Sequence, residues 1–123
     1  MFGIGQRKIV LRPAAIVPGA SAAAEIGRDK NGNTTVRLQV RHLAPPENLT
    51  PAAAVYVVWV QTATAPAENK GVVKVRGDLT GDTRFLTAAR DFEIFLTAEI
   101  APSPASPSAR QVLSGRLHAK QAA

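Results

Sequence analysis

The six residues Val55-Tyr56-Val57-Val58-Trp59-Val60 constrain the fold more than any other stretch. They form a continuous apolar run of β-branched and aromatic side chains, bounded on both sides by alanine, proline or threonine. The run is too short for a buried helix, and its residue types favour a pleated strand. Nothing polar alternates through it, so both of its faces must be covered, as in a central strand. It also holds the only Trp and the only Tyr of the chain.

The flanking sequence supplies further strands. Residues 7–17 read as extended. Pro13 cannot donate to a ladder, so this segment is expected at a sheet edge or at a point where the strand switches partners. Ser21 to Arg28 is a weaker strand with Ala22, Ala24 and Ile26 on one side. Asn31-Gly32 follows, the strongest short hairpin signal. Beyond it Val36, Leu38 and Val40 alternate with Thr35, Arg37, Gln39 and Arg41, the pattern of a half-buried strand. The pair Pro45-Pro46 marks a crossing loop over Leu43–Pro51, because proline stops both helix and ladder. Thr62 to Asn69 reads as a polar loop, Gly71 to Arg76 as a strand, Gly77 to Asp82 as a turn and Thr83 to Thr87 as a short strand. In Asp91 to Glu99, Phe92, Ile94, Leu96 and Ala98 face one way and Glu93, Phe95, Thr97 and Glu99 the other. Residues 101–108 alternate proline and serine too densely for regular structure. Gln111 to Lys120 is the last strand, with Leu113, Leu117 and Ala119 inward.

Close strand spacing, frequent turn signals and no amphipathic helix predict an all-β fold. The expected architecture is an immunoglobulin-like antiparallel β-sandwich of seven to eight strands, with an eight-stranded barrel as the second reading. Its expected core is Val36, Leu38, Val40, Tyr56, Val58, Trp59, Phe92, Ile94, Leu96 and Leu113. The organisation expected is an N-terminal arm or edge strand over residues 1–20 and a sandwich domain over 21–123. A length of 123 residues suffices for a core without staples. No stretch approaches the roughly 20 apolar residues of a membrane span. The apolar stretch Ile9–Leu11 is far shorter than a signal-peptide core.

The chain carries 15 Lys and Arg against 9 Asp and Glu, a net charge of +6. Such a balance favours nucleic acid, anionic surfaces or acidic proteins as partners. Residues 1–43 hold Arg7, Lys8, Arg12, Arg28, Lys30, Arg37 and Arg41 against only Glu25 and Asp29. A basic face is expected from Arg7, Lys8, Arg12, Arg37, Arg41 and Arg116 if the first and last strands are neighbours. Single-strand readers also need exposed aromatic platforms. Here the aromatics lie in apolar strands, so nucleic acid ranks below protein as a partner.

No catalytic set emerges from the sequence. His42 and His118 stand in no motif, and Ser103, Ser106 and Ser108 lie outside any Gly-x-Ser-x-Gly turn. There is no Cys, which excludes thiolate chemistry and Cys-based zinc sites. Asp29, Asn31 and Asn33 match the first offsets of a calcium loop, but Thr34 and Val40 occupy positions that need Gly and Glu. The hairpin reading is preferred. No cofactor, metal or small-molecule substrate is expected, and the chain is read as non-enzymatic.

The strands Tyr56–Val60 and Phe92–Glu99, the prolines Pro102, Pro104 and Pro107, and the segment Val112-Leu113-Ser114-Gly115 together resemble the C-terminal domain of anti-sigma-K factors. The resemblance extends over residues 33–117 and also reaches small stand-alone bacterial proteins with the His42–Pro46 pattern. It implies a sandwich fold and an extracytoplasmic or extracellular setting. It carries over neither sigma-factor inhibition nor any catalytic residue. The functional expectation is a self-assembling or complex-forming building block, an oligomer or filament subunit, whose partner is a copy of itself or another protein. The strand expected to exchange between copies contains Ile9, Val10, Leu11, Pro13, Ile16 and Val17. The alternatives are a basic nucleic-acid-binding domain and a regulatory domain related to the anti-sigma factors.

Overall fold

The computed structural model describes residues 7–118. Among them are eight antiparallel strands and one short 3₁₀ turn, so the fold is all-β. The strands are β1 (Arg7–Pro13), β2 (Ser21–Arg28), β3 (Thr34–Arg41), β4 (Val55–Gln61), β5 (Glu68–Val73), β6 (Gly81–Thr87), β7 (Phe92–Glu99) and β8 (Gln111–Leu117). They follow one another in the order β5-β4-β7-β8-β1-β2-β3-β6. This continuous ladder folds over on itself into two layers. The first layer is β1-β2-β3-β6 and the second is β5-β4-β7-β8.

β1 joins the layers. Its residues Arg7 to Leu11 pair with β2, and Arg12 and Pro13 pair with β8. The change of partner falls between Leu11 and Arg12, immediately before the proline, a residue that cannot serve a continuous ladder. Gly115 permits the crossing. A Cβ there would lie 3.1 Å from both Leu11 Cγ and the Val10 carbonyl oxygen. The first strand is therefore interior to the strand order and not an edge. Residues 7–13 belong to the sandwich itself, which corrects the division at residue 20.

The β2–β3 hairpin turns at Asp29–Asn33, with Gly32 at φ 83°. The Asp29 carboxylate accepts from the backbone N–H of Asn31 and Asn33, both at 2.9 Å. The bond from the Asn33 N–H, followed by its other local bonds, holds the Asp29 pKa below the ordinary 3.8. This hairpin keeps β2 and β3 in one layer, whereas the second and third strands of an immunoglobulin domain lie in opposite sheets. The sandwich is as expected, and β3 stands in it between β2 and β6.

Between the layers lies the main core. It contains Val36, Leu38, Val40, Tyr56, Val58, Phe92, Ile94, Leu96 and Leu113, all buried, with Val112 and Leu43 beside them. Leu11 and Val17 are buried here too. Trp59 is fully buried, but in a second cluster with Val57 and Phe95. β4 is thus covered on both faces: Tyr56, Val58 and Val60 point into the main core, Val57 and Trp59 away from it.

β5 begins three residues before the expected start, because Glu68 and Asn69 pair with β4 despite their polarity, while Lys70 falls at the shift of register. The register slips between Val58 and Trp59, opposite Gly71 at φ 120°. That bulge breaks the alternation from which the strand could have been read. The expected inward position of Ala119 lies outside the described residues.

Tyr56 ties the β3–β4 connection to the core. Its hydroxyl donates to the Ala44 carbonyl at 2.5 Å. Burial, aided by the Glu47 carboxylate and opposed by Arg110, pushes the phenol from 10.0 up to about 12. The folded state therefore holds this proton more tightly than the unfolded chain. Its contribution is complete below pH 10 and is lost as the pH rises from 10 to about 12. Urea midpoints measured across that range should fall more steeply for the wild type than for Tyr56→Phe. Parallel slopes would show that the phenol is not the group responsible.

Candidate functional site

The two layers differ in what covers their outer faces. Outside the second layer Val57, Trp59, Phe95, Thr97 and Glu99 are all buried. Ala67 and Val72 pack on the aromatic cluster there. The loop after β7 is fastened over the same side. The Ser108 N–H donates to Glu99 Oε2 at 2.8 Å, and Asn69 Nδ2 donates to the Pro102 carbonyl at 3.2 Å. Glu99 Oε2 also accepts from the Thr97 hydroxyl, which in turn accepts from Trp59 Nε1 at 2.8 Å. Every polar group in that chain has a partner, which is the condition for burying it.

Among the described residues nothing covers the outer face of the first layer in this way. The alternation of each strand sends Lys8 and Val10, Glu25, Arg37, Gln39 and Arg41, and Asp82, Arg84 and Leu86 to solvent. Val10 is 67% exposed and Leu86 51%. The register aligns one charged residue from each strand: Lys8 faces Glu25, Glu25 faces Arg37, and Arg37 faces Arg84. Glu25 and Arg37 are 3.7 Å apart. Two arginines directly opposite one another are unfavourable for the sheet. No packing requirement calls for this pair, since both side chains are exposed.

A shallow groove of about 500 Å³ runs beside this row, lined by Glu25, Gly27, Thr35, Arg37, Arg84 and Leu86, among others. A second cleft of about 430 Å³ opens where the ladder ends, between β5 and β6, with Val60, Glu68, Lys70, Leu86 and Thr87 on its walls. Lys70 is bound there to Glu68 at 2.7 Å. At its other end the seam is tight, since a Cβ on Gly81 would lie 2.5 Å from the Lys74 carbonyl oxygen.

The expected basic face is only partly assembled. Lys8, Arg37 and Arg41 share the open face. Arg7 lies at the free end of β1 and Arg12 at the crossing between layers. Arg116 lies on β8 in the second layer, where it binds Asp91 at 2.9 Å. Arg84 completes the row and was not expected, because its neighbour β3 could not be read from its own strand. Among the expected assembly residues, Leu11 and Val17 are core and Ile9 packs against it. Only Val10, Pro13 and Ile16 are exposed. A segment buried in its own sandwich is not a free arm, because its apolar side chains already have a place.

His42 ends β3 at φ 55°, exposed. Its neighbour Leu43 donates its N–H to the Leu79 carbonyl at 3.1 Å. Ser108 is engaged by Glu99 and by the Ala98 carbonyl. Among the described residues no three His, Asp or Glu side chains gather as a metal site, and no helix is long and apolar enough to cross a membrane. Compared with known proteins, the chain matches no family model, and no curated protein shows significant similarity to it.

Proposed function

We propose that this chain is a non-enzymatic protein-interaction module, a building block that makes its contact through the outer face of the first layer. The observation that carries this reading is the unequal cover of the two layers. One outer face is sealed by the chain's own side chains and loops, while the described residues leave the other open across four strands. The open face keeps a cross-strand arginine pair that costs the isolated sheet stability and that a partner would relieve. Exposed Val10 and Leu86 add apolar area beside the charges. An extracytoplasmic setting fits the resemblance to anti-sigma-K C-terminal domains and is part of the proposal.

Contact through this face takes the place of exchange of the first strand between copies. Exchange would require Leu11 to leave the core and re-enter a neighbour's.

The chain has no cysteine, so a single thiol reports on one place. Leu86→Cys should react freely with a maleimide in dilute purified protein and be protected in the producing cells or their envelope. Ala105→Cys, in the loop on the opposite side, should react equally in both. Protection that appears in the purified protein on concentration would identify the partner as another copy. Equal reactivity of Cys at position 86 in every setting would refute the proposal.

A further inference from the structure

We infer that the partner of the open face is an acidic protein segment with some apolar side chains. Its carboxylates would lie over Lys8, Arg37 and Arg84, and an apolar side chain would sit in the groove beside Leu86. This rests on the interaction reading above and adds the chemistry of the partner.

The charges of the face do not balance. It carries Lys8, Arg37, Arg41 and Arg84 against Glu25 and Asp82. Glu25 is taken up by Arg37, and Asp82 by Arg76 from the turn after β5, at 3.6 Å. Lys8, Arg41 and Arg84 have no ion-pair partner among the described residues. The complement of this face is therefore negative. A second copy presenting the same face would set these cations against one another.

A nucleic-acid strand is the other polyanion, and the face suits it less. A phosphate chain laid along the row would pass over Glu25. Stacking of bases needs exposed aromatic rings. Tyr56, Trp59, Phe92 and Phe95 are buried, and Phe85 packs against the main core. A peptide can place a carboxylate over Arg84 and an uncharged residue over Glu25, because its charge varies from residue to residue. The groove adds a preference that phosphate cannot use: exposed Leu86 stands at one wall, and Gly27, which has no side chain, lies in the same lining.

The test uses fluorescence anisotropy with three labelled probes: a short glutamate peptide with leucine at intervals, an all-glutamate peptide, and oligo-deoxythymidine of similar charge. The glutamate–leucine peptide should bind tightest at low salt. The double variant Lys8→Glu/Arg84→Glu should weaken it about tenfold or more, as expected for reversal of two contacting charges. Leu86→Ser should weaken the glutamate–leucine peptide and leave the all-glutamate one unchanged. Arg28→Glu/Arg90→Glu, at the end of the sandwich, should change neither. These side chains are exposed, and a cooperative urea transition would confirm that each variant folds.

Absence of salt-sensitive peptide binding would overturn the inference, as would equal losses from the end-of-sandwich variant. Tighter binding of the oligonucleotide than of either peptide would make the face a nucleic-acid surface instead. If the Cys at position 86 is protected in its native setting while no acidic peptide binds, the contact reading stands and the acidic partner falls.

Discussion

Replacing Trp59 by Ala should cost about 3–5 kcal/mol of stability, the range for large aromatic truncations in a core. The indole has no exposed surface and stacks on Phe95, with ring centroids 6.5 Å apart and planes within 16°. Its removal opens a cavity in the cluster that it forms with Val57 and Phe95, under Ala67 and Val72. It also takes away the donor to Thr97 Oγ1, the first link of the chain that ends at the Ser108 N–H. Two effects therefore combine: lost packing, and a polar relay with one member missing. Trp59→Phe separates them by retaining a ring on Phe95 while deleting the N–H. Urea denaturation of both variants is the measurement. A loss below about 1 kcal/mol for the alanine variant would mean that the outer cluster does not support the fold.

The second large effect is expected at β1. Leu11→Ala should cost about 2–5 kcal/mol, as for other buried leucines. Deleting residues 1–13 should abolish cooperative unfolding altogether. Both β2 and β8 lose a hydrogen-bonded neighbour, and the main core loses Leu11 together with the support of Ile9. Near-ultraviolet circular dichroism and a urea titration would decide. A truncated protein that keeps a sharp transition would show that the first strand is dispensable, and would restore the free-arm reading.

Most of the fold could be read from local patterns because strand periodicity is a local property. Phe92 to Glu99 alternates clearly: Phe92, Ile94, Leu96 and Ala98 enter the main core and Phe95 the second cluster. The apolar run of β4 announced burial on both faces, which holds. Alternation places Tyr56 and Trp59 on opposite sides, but nothing local says which side is the main core, since both residues end up buried. The β5 boundary was hidden by the bulge at Gly71 and by polar residues at the end of the ladder, which need no apolar alternation. The open face was half visible. Arg37 and Arg41 alternate outward within one strand, but the row Lys8–Glu25–Arg37–Arg84 exists only once the registers of four strands are known. Register depends on contacts between residues far apart in sequence. The assignment of Leu11 and Val17 to an arm failed for the same reason. Pro13 signals an interruption, and only the neighbours of β1 show that the interruption is a change of partner.

The crossing of β1 from one layer to the other gives the molecule the construction of a book. β1 is the spine, and the unpaired seam between β5 and β6 is the fore-edge. Opening at the spine would break ladders on both sides of a strand that carries Leu11 into the core. Opening at the fore-edge breaks no ladder, because none joins β5 to β6. Any separation of the two layers would therefore be hinged at β1, where ladders hold it on both sides, and would be least opposed by hydrogen bonds at Glu68–Lys70 and Leu86–Thr87. The row that runs from Lys8 to Arg84 spans the whole of one cover, from spine to fore-edge. A partner lying across that row would splint the cover flat and confine any opening to the end of the seam away from the turn that joins β5 to β6.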